Sequence, residues 1–168
     1  PFYDRLSPIY LAEYVTLEFK RGDCVAFLGF NSPEMLALLF ACARLGALFM
    51  PLNWRLAVAE LEGLVVDGEP ALLFRQEGLT APANAPQMLN ISGLTELGSD
   101  GDVPPSRARR PFDACSTLLY TSGTSGNPKG VMLSEENNFW GCTNFIHGHA
   151  VNPTSAFLCD MPLFHTAG

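Results

Sequence analysis

Between Leu118 and Gly130 the chain reads Leu-Leu-Tyr-Thr-Ser-Gly-Thr-Ser-Gly-Asn-Pro-Lys-Gly. Thr121, Ser122, Thr124 and Ser125 supply hydroxyls, and Gly123 and Gly126 break the run. Glycines let the backbone bend until its N–H groups converge, and a concavity of N–H and hydroxyl donors suits a polyphosphate. Lys129 adds a mobile positive charge, and the chain has only one other lysine, Lys20. The candidate binding residues are therefore Thr121, Ser122, Gly123, Thr124, Ser125, Gly126, Asn127, Pro128, Lys129 and Gly130. This is not a Walker A loop: counting from Gly123, Pro128 stands where the second glycine belongs, and Gly130 follows the lysine. Nor is it G-x-G-x-x-G, since Gly123 and Gly126 are three apart. The residues after it read as a strand, where a phosphate loop of either kind would open a helix. On composition alone, a polar hairpin without a ligand is the alternative.

Other reactive side chains are few. His165 lies just after an apolar run, beside Phe164. His147 and His149 lack the further ligands a metal would need and read as polar residues at a helix end. No metal site is expected. The five cysteines are Cys24, Cys42, Cys115, Cys142 and Cys159, an odd number with no C-x-x-C pair. They are expected to be reduced and structural, as in the cytoplasm. Arg107, Arg109 and Arg110 form a short basic run without interleaved aromatics, which reads as a solvated loop.

Strands and helices that could position these residues alternate. Residues 24–30 form an apolar run, as in a strand buried on both faces. Asn31-Ser32-Pro33-Glu34 opens a helix, with Asn31 or Ser32 as cap, and Gly46 closes it. That helix is apolar on nearly every side and is expected to be buried. A strand at 47–52, a helix at 57–66, a turn at Asp67-Gly68-Glu69-Pro70 and a strand at 71–75 follow. The stretch 78–114 is rich in Gly and Pro and reads as a surface connection, with one short strand near Met88–Ile91. Strands at 116–121 and 131–133, a helix from Ser134 to about His149 and a strand at 156–161 complete the chain. The pattern predicts an α/β fold with a mainly parallel sheet flanked by helices. Its parts are β-α-β units over 1–77, the connection over 78–114 and the loop-bearing segment over 115–168.

The 168 residues, 48% apolar and 16% charged, suffice for one domain, or one and a fraction, with a sizeable core. The net charge of −7 argues against nucleic acid as a partner and against docking on an anionic membrane. The longest apolar stretch, Met35 to Cys42, is too short to cross a bilayer, and the first residues lack the layout of a secretory signal. The last residues open a new element, so the sequence is expected to be part of a longer protein.

TSGTSGNPKG at 121–130 resembles the phosphate-binding loop of the adenylate-forming enzymes, the superfamily of acyl-CoA synthetases, luciferases and peptide-synthetase adenylation domains. Residues 21–56 are similar to the N-terminal region of acyl-CoA synthetases, including Ala-Arg-Leu-Gly-Ala and Pro-Leu-Asn-Trp-Arg-Leu, and MPLFHTAG at 161–168 resembles the next core motif. The resemblance implies part of the large N-terminal AMP-binding domain, with the C-terminal domain absent. It implies that Thr121 to Lys129 hold the β- and γ-phosphates of ATP and that His165 is catalytic, beside the acyl carboxylate. The implied reaction joins a carboxylic acid, a fatty acid in particular, to ATP as an acyl-adenylate and then to coenzyme A. Mg²⁺ would be bound by a motif outside these residues, the segment alone would be inactive, and a homodimer is compatible with the resemblance. Adenylation without coenzyme A transfer, or a non-catalytic nucleotide-binding fragment, are the alternatives. One departure is Ser134-Glu135-Glu136-Asn137, where the superfamily commonly has Ser-His-x-Asn.

Overall fold

The computed structural model describes residues 21–91, 111–121, 128–158 and 160–165. Its strands are β1 (Cys24–Leu28), β2 (Leu48–Leu52), β3 (Leu72–Arg75), β4 (Gln87–Asn90), β5 (Cys115–Thr121) and β6 (Lys129–Ser134). Its helices are α1 (Pro33–Leu45), α2 (Val58–Gly68) and α3 (Glu135–Gly148). The strands form one sheet in the order β4-β3-β1-β2-β5-β6. Every pairing is parallel except β5 with β6.

The sheet is buried from both faces because successive side chains of a strand point to opposite sides. Val25, Phe27, Phe49 and Phe74 meet Met35, Leu38, Ala41 and Cys42 of α1. Ala26, Leu28, Met50 and Leu73 meet Leu61 and Leu64 of α2. At about 25 cal/mol per Å² of apolar surface, these two clusters are the main source of stability.

Local signals account for most boundaries. Ser32 caps α1 by accepting a hydrogen bond from the Met35 N–H at 3.2 Å, so Ser32 and not Asn31 is the cap. Gly46 ends α1 at φ 80°, a conformation open to glycine. The α2 entry has no side-chain cap at Ala57; instead the Glu60 carboxylate accepts the Ala57 N–H at 2.8 Å. Ser134 and Asn137 form a reciprocal capping box on α3: the Asn137 N–H donates to Ser134 Oγ at 3.1 Å and the Ser134 N–H to Asn137 Oδ1 at 3.0 Å. The Ser and Asn of the departing motif thus hold a helix start, and Glu135 lies in its first turn, where negative charge is favoured.

Several expectations are corrected. β1 stops at Leu28 because the Phe30 N–H leaves the ladder and donates to Gln76 Oε1 at 2.8 Å. The expected turn at 67–70 begins later: α2 runs through Gly68 and Glu69 ends it at φ 41°. The strand expected at 156–161 is not present among its described residues. Residues 156–158, 160 and 161 carry no strand, and Leu158 is 89% exposed. α1 is not buried all round, since Phe40 is half exposed. Residues 1–20, 92–110, most of the glycine-rich loop and Cys159 lie outside the described residues.

Candidate functional site

The two feet of the glycine-rich loop are ladder partners. β5 and β6 are antiparallel, with Thr121 opposite Lys129 and Tyr120 opposite Gly130. Opposed residues in such a ladder lie about 5 Å apart, so the sheet fixes where the loop leaves and returns. Ser122 to Asn127 lie outside the described residues; Thr121, Pro128, Lys129 and Gly130 are exposed at its base.

Tyr120 anchors that base. Its hydroxyl donates to Asp67 Oδ2 of α2 at 2.7 Å. Burial first, and then this hydrogen bond, push the phenol well above its ordinary range, so it remains a donor at neutral pH. Space for the ring comes from glycine: a Cβ on Gly130 would lie 3.3 Å from Tyr120 Cζ and 3.0 Å from Leu118 Cδ1. A Cβ on Gly68 would meet the Tyr120 hydroxyl at 3.1 Å.

A cleft of about 210 Å³ opens at the carboxyl ends of β2 and β5, where ligands bind in open α/β sheets. Pro51, Asn53 and Leu56 line it from the β2 side and Leu64 from α2. Tyr120, Thr121 and Pro128 line it from the loop base, and Phe164 and His165 close it. Of the residues singled out from sequence, Thr121, Pro128 and His165 therefore meet at one cleft. Lys129 and Gly130 stand beside it on β6 but do not line it. His147 and His149 are elsewhere, on and just beyond α3, where His149 stacks on Phe145 at 4.3 Å.

Two groups escaped the sequence reading. Asn53, Leu56 and Leu64 line the cleft from segments far from the loop in sequence, and only the β2–β5 pairing brings them there. Asn31 resembles a helix cap but reaches residues 161–163 instead. An Asn beside a capping Ser, unused by the helix, was the available signal.

The cleft joins an apolar wall of Pro51, Leu56, Leu64 and Phe164 to the polar groups of Asn53, Tyr120, Thr121 and His165. That suits a ligand with an apolar body and a charged end. The exposed Lys129 at the loop's foot suits a phosphate chain. Among the described residues no group of three or more His, Cys, Asp or Glu could hold a metal ion.

The family described as AMP-binding enzyme matches residues 11–168. The chain belongs to this family. It is 42% identical to an indoleacetate–CoA ligase of Aromatoleum aromaticum, over 87% of this chain and 32% of that protein. It is 39% identical to a feruloyl-CoA synthase of Amycolatopsis, over 88% of this chain and 30% of that protein. Among solved structures it resembles the O-succinylbenzoate coenzyme A synthetase of Bacillus subtilis in complex with AMP. There the TM-score is 0.84 at 25% identity, over 98% of this chain and 42% of that one. The fold is thus that of the N-terminal domain of adenylate-forming enzymes. The chain spans about a third of the length of the curated relatives it matches.

Proposed function

We propose that this segment is the N-terminal portion of an acid–CoA ligase that activates an aromatic carboxylic acid. The cleft carries the proposal, because it sets an apolar wall against the foot of the glycine-rich loop. In the reaction, a carboxylate oxygen attacks the α-phosphorus of ATP, an acyl-adenylate forms and pyrophosphate leaves. The thiol of coenzyme A then attacks the acyl carbonyl, a thioester forms and AMP leaves.

The loop from Thr121 to Gly130 holds the β- and γ-phosphates. Hydroxyls of Thr121, Ser122, Thr124 and Ser125 donate to them, the glycines let backbone N–H groups approach, and Lys129 neutralises charge as pyrophosphate departs. His165 lies beside the carboxylate, and Phe164, Leu56 and Leu64 flank the acyl group. Most of the catalysis by this segment is positioning and charge neutralisation. Mg²⁺ would be supplied with ATP and held by residues outside this segment.

An aromatic acid is favoured over the fatty acid expected from the sequence. The relatives named above act on indoleacetate and ferulate, and neither name is a fatty acid. A flat ring carrying a carboxylate also suits a cleft of about 210 Å³ lined by both apolar and polar side chains. The free thiols of Cys24 and the exposed Cys142 support a reducing compartment, the cytoplasm. The whole protein, offered ATP, coenzyme A and arylacetates, cinnamates, benzoates and fatty acids in turn, should form acyl-CoA from an aromatic acid, read by mass spectrometry. Acyl-CoA from fatty acids alone would sink the substrate assignment, and acyl-adenylate without thioester would reassign the enzyme to adenylation only.

A further inference from the structure

The turn that carries His165 is tied by the Asn31 side chain to the segment that follows β1. Asn31 Nδ2 donates to the Met161 carbonyl oxygen at 2.8 Å, and Asn31 Oδ1 accepts the Leu163 N–H at 2.8 Å. The amide thus behaves like a short piece of neighbouring strand, satisfying a carbonyl and an N–H two residues apart. The two elements are 130 residues apart in sequence. Only this orientation of the amide works, because a carbonyl needs a donor and an N–H needs an acceptor.

Asn31 can act as a fixed point because its neighbours are held. The Phe30 N–H donates to Gln76 Oε1 at 2.8 Å, and the Phe30 ring packs edge-on to Trp54 at 4.6 Å. On its other side Ser32 caps α1. The far end is also defined: the His165 N–H donates to the Pro162 carbonyl at 3.0 Å, and Leu163 packs against the core cluster beneath α1. Phe164 and His165 then face the cleft together with Thr121. The path from Asn31 to the histidine is therefore short, two residues beyond Leu163.

We propose that Asn31 is a positioning residue for His165, setting the histidine's height above the cleft by gripping residues 161–163. The proposal rests on the acyl-activation reading for its kinetic consequence but not for the grip. Asn31 does not line the cleft, so it acts through the turn. Each of the two hydrogen bonds is neutral and exposed, worth roughly threefold to tenfold.

The test uses the whole protein with Asn31→Ala, Asn31→Asp, His165→Ala and the double variant Asn31→Ala/His165→Ala. Hydrogen exchange over residues 161–165 should quicken about fivefold in Asn31→Ala, at an unchanged melting temperature. Unchanged exchange there overturns the proposal whatever the activity. Carboxylate-dependent ATP–pyrophosphate exchange should fall about tenfold in Asn31→Ala, with the loss in kcat and in the acid's KM and not in the KM for ATP. Asn31→Asp keeps the acceptor for Leu163 but turns a carboxylate oxygen on the Met161 carbonyl, so it should recover none of the rate lost in Asn31→Ala, and a native rate in Asn31→Asp overturns the two-bond grip. In the His165→Ala background, Asn31→Ala should cost less than twofold further, because the group it positions is gone. A full tenfold loss there, or a loss confined to ATP, overturns the positioning role. Faster hydrogen exchange in a protein whose native form shows no carboxylate-dependent exchange supports the grip and overturns the acyl-activation reading instead.

Discussion

Replacing Tyr120 by Phe removes one hydroxyl and keeps the ring in its seat between Gly68 and Gly130. The lost bond runs 2.7 Å to Asp67 Oδ2 and ties the last residue before the loop to the end of α2. A neutral donor on a carboxylate is worth roughly 1.5–3 kcal/mol when well shielded. Here Tyr120 is half-buried and Asp67 is exposed, so water screens the pair and about 1 kcal/mol is the better figure. That is a factor of about five. We expect it in the KM for ATP, because Tyr120 precedes Thr121 and pairs with Gly130 across the loop's base. The phenol stays protonated across neutral pH, held up by burial and then by the Asp67 bond, so the effect should be flat from about pH 6 to 9. The assay is ATP–pyrophosphate exchange at varied ATP in the whole protein, for Tyr120→Phe, Asp67→Asn and the double variant. The double variant should lose no more than the worse single one. Full additivity of the two losses would refute the coupling, and a Tyr120→Phe enzyme with native KM would refute the anchoring role.

Three further outcomes follow from single residues. Burial pushes the Cys24 thiol up from an ordinary 9.0 to about 12. A raised folded value means stability is fully present below about pH 9 and is lost as pH rises from about 9 to about 12, by about 1.4 kcal/mol per unit. Cys24→Ala should flatten that limb in urea titrations at stepped pH; an unchanged limb would contradict it. Glu69 ends α2 at φ 41°, so Glu69→Gly should stabilise by roughly 0.5–1 kcal/mol in the same titrations, and destabilisation would show that its side chain matters more than its backbone. Lys129→Ala should lower kcat/KM for ATP about tenfold while leaving the order of preferred acids unchanged; a shifted acid preference would move the loop to the acyl pocket.

The alternation of apolar runs and capped helices made the parallel sheet readable, because strands buried on both faces leave no polar alternation to confuse them. α1 is the clearest case, with Ser32, Pro33 and Gly46 marking both ends. The loop's place between two strands was equally legible from Leu118 to Leu133. What the sequence hid depends on long-range pairing. Glu69 in a left-handed conformation follows from where α2 must stop to feed β3, a demand local propensity does not carry. The apolar character of 156–161 suggested a strand, but a strand needs a neighbour to pair with, which local sequence does not encode, and the described residues there carry none. The cleft wall at Asn53, Leu56 and Leu64 and the reach of Asn31 are products of the strand order, which composition does not encode.

In the proposed reaction the cleft and loop of this segment serve the adenylation of an aromatic carboxylate. Exchange of labelled pyrophosphate into ATP by the whole protein, without coenzyme A, isolates that step. We expect exchange that depends on an aromatic acid and falls about tenfold in Lys129→Ala. Exchange that proceeds at the same rate without any carboxylate, or none with any acid in a folded protein that binds ATP, would contradict it.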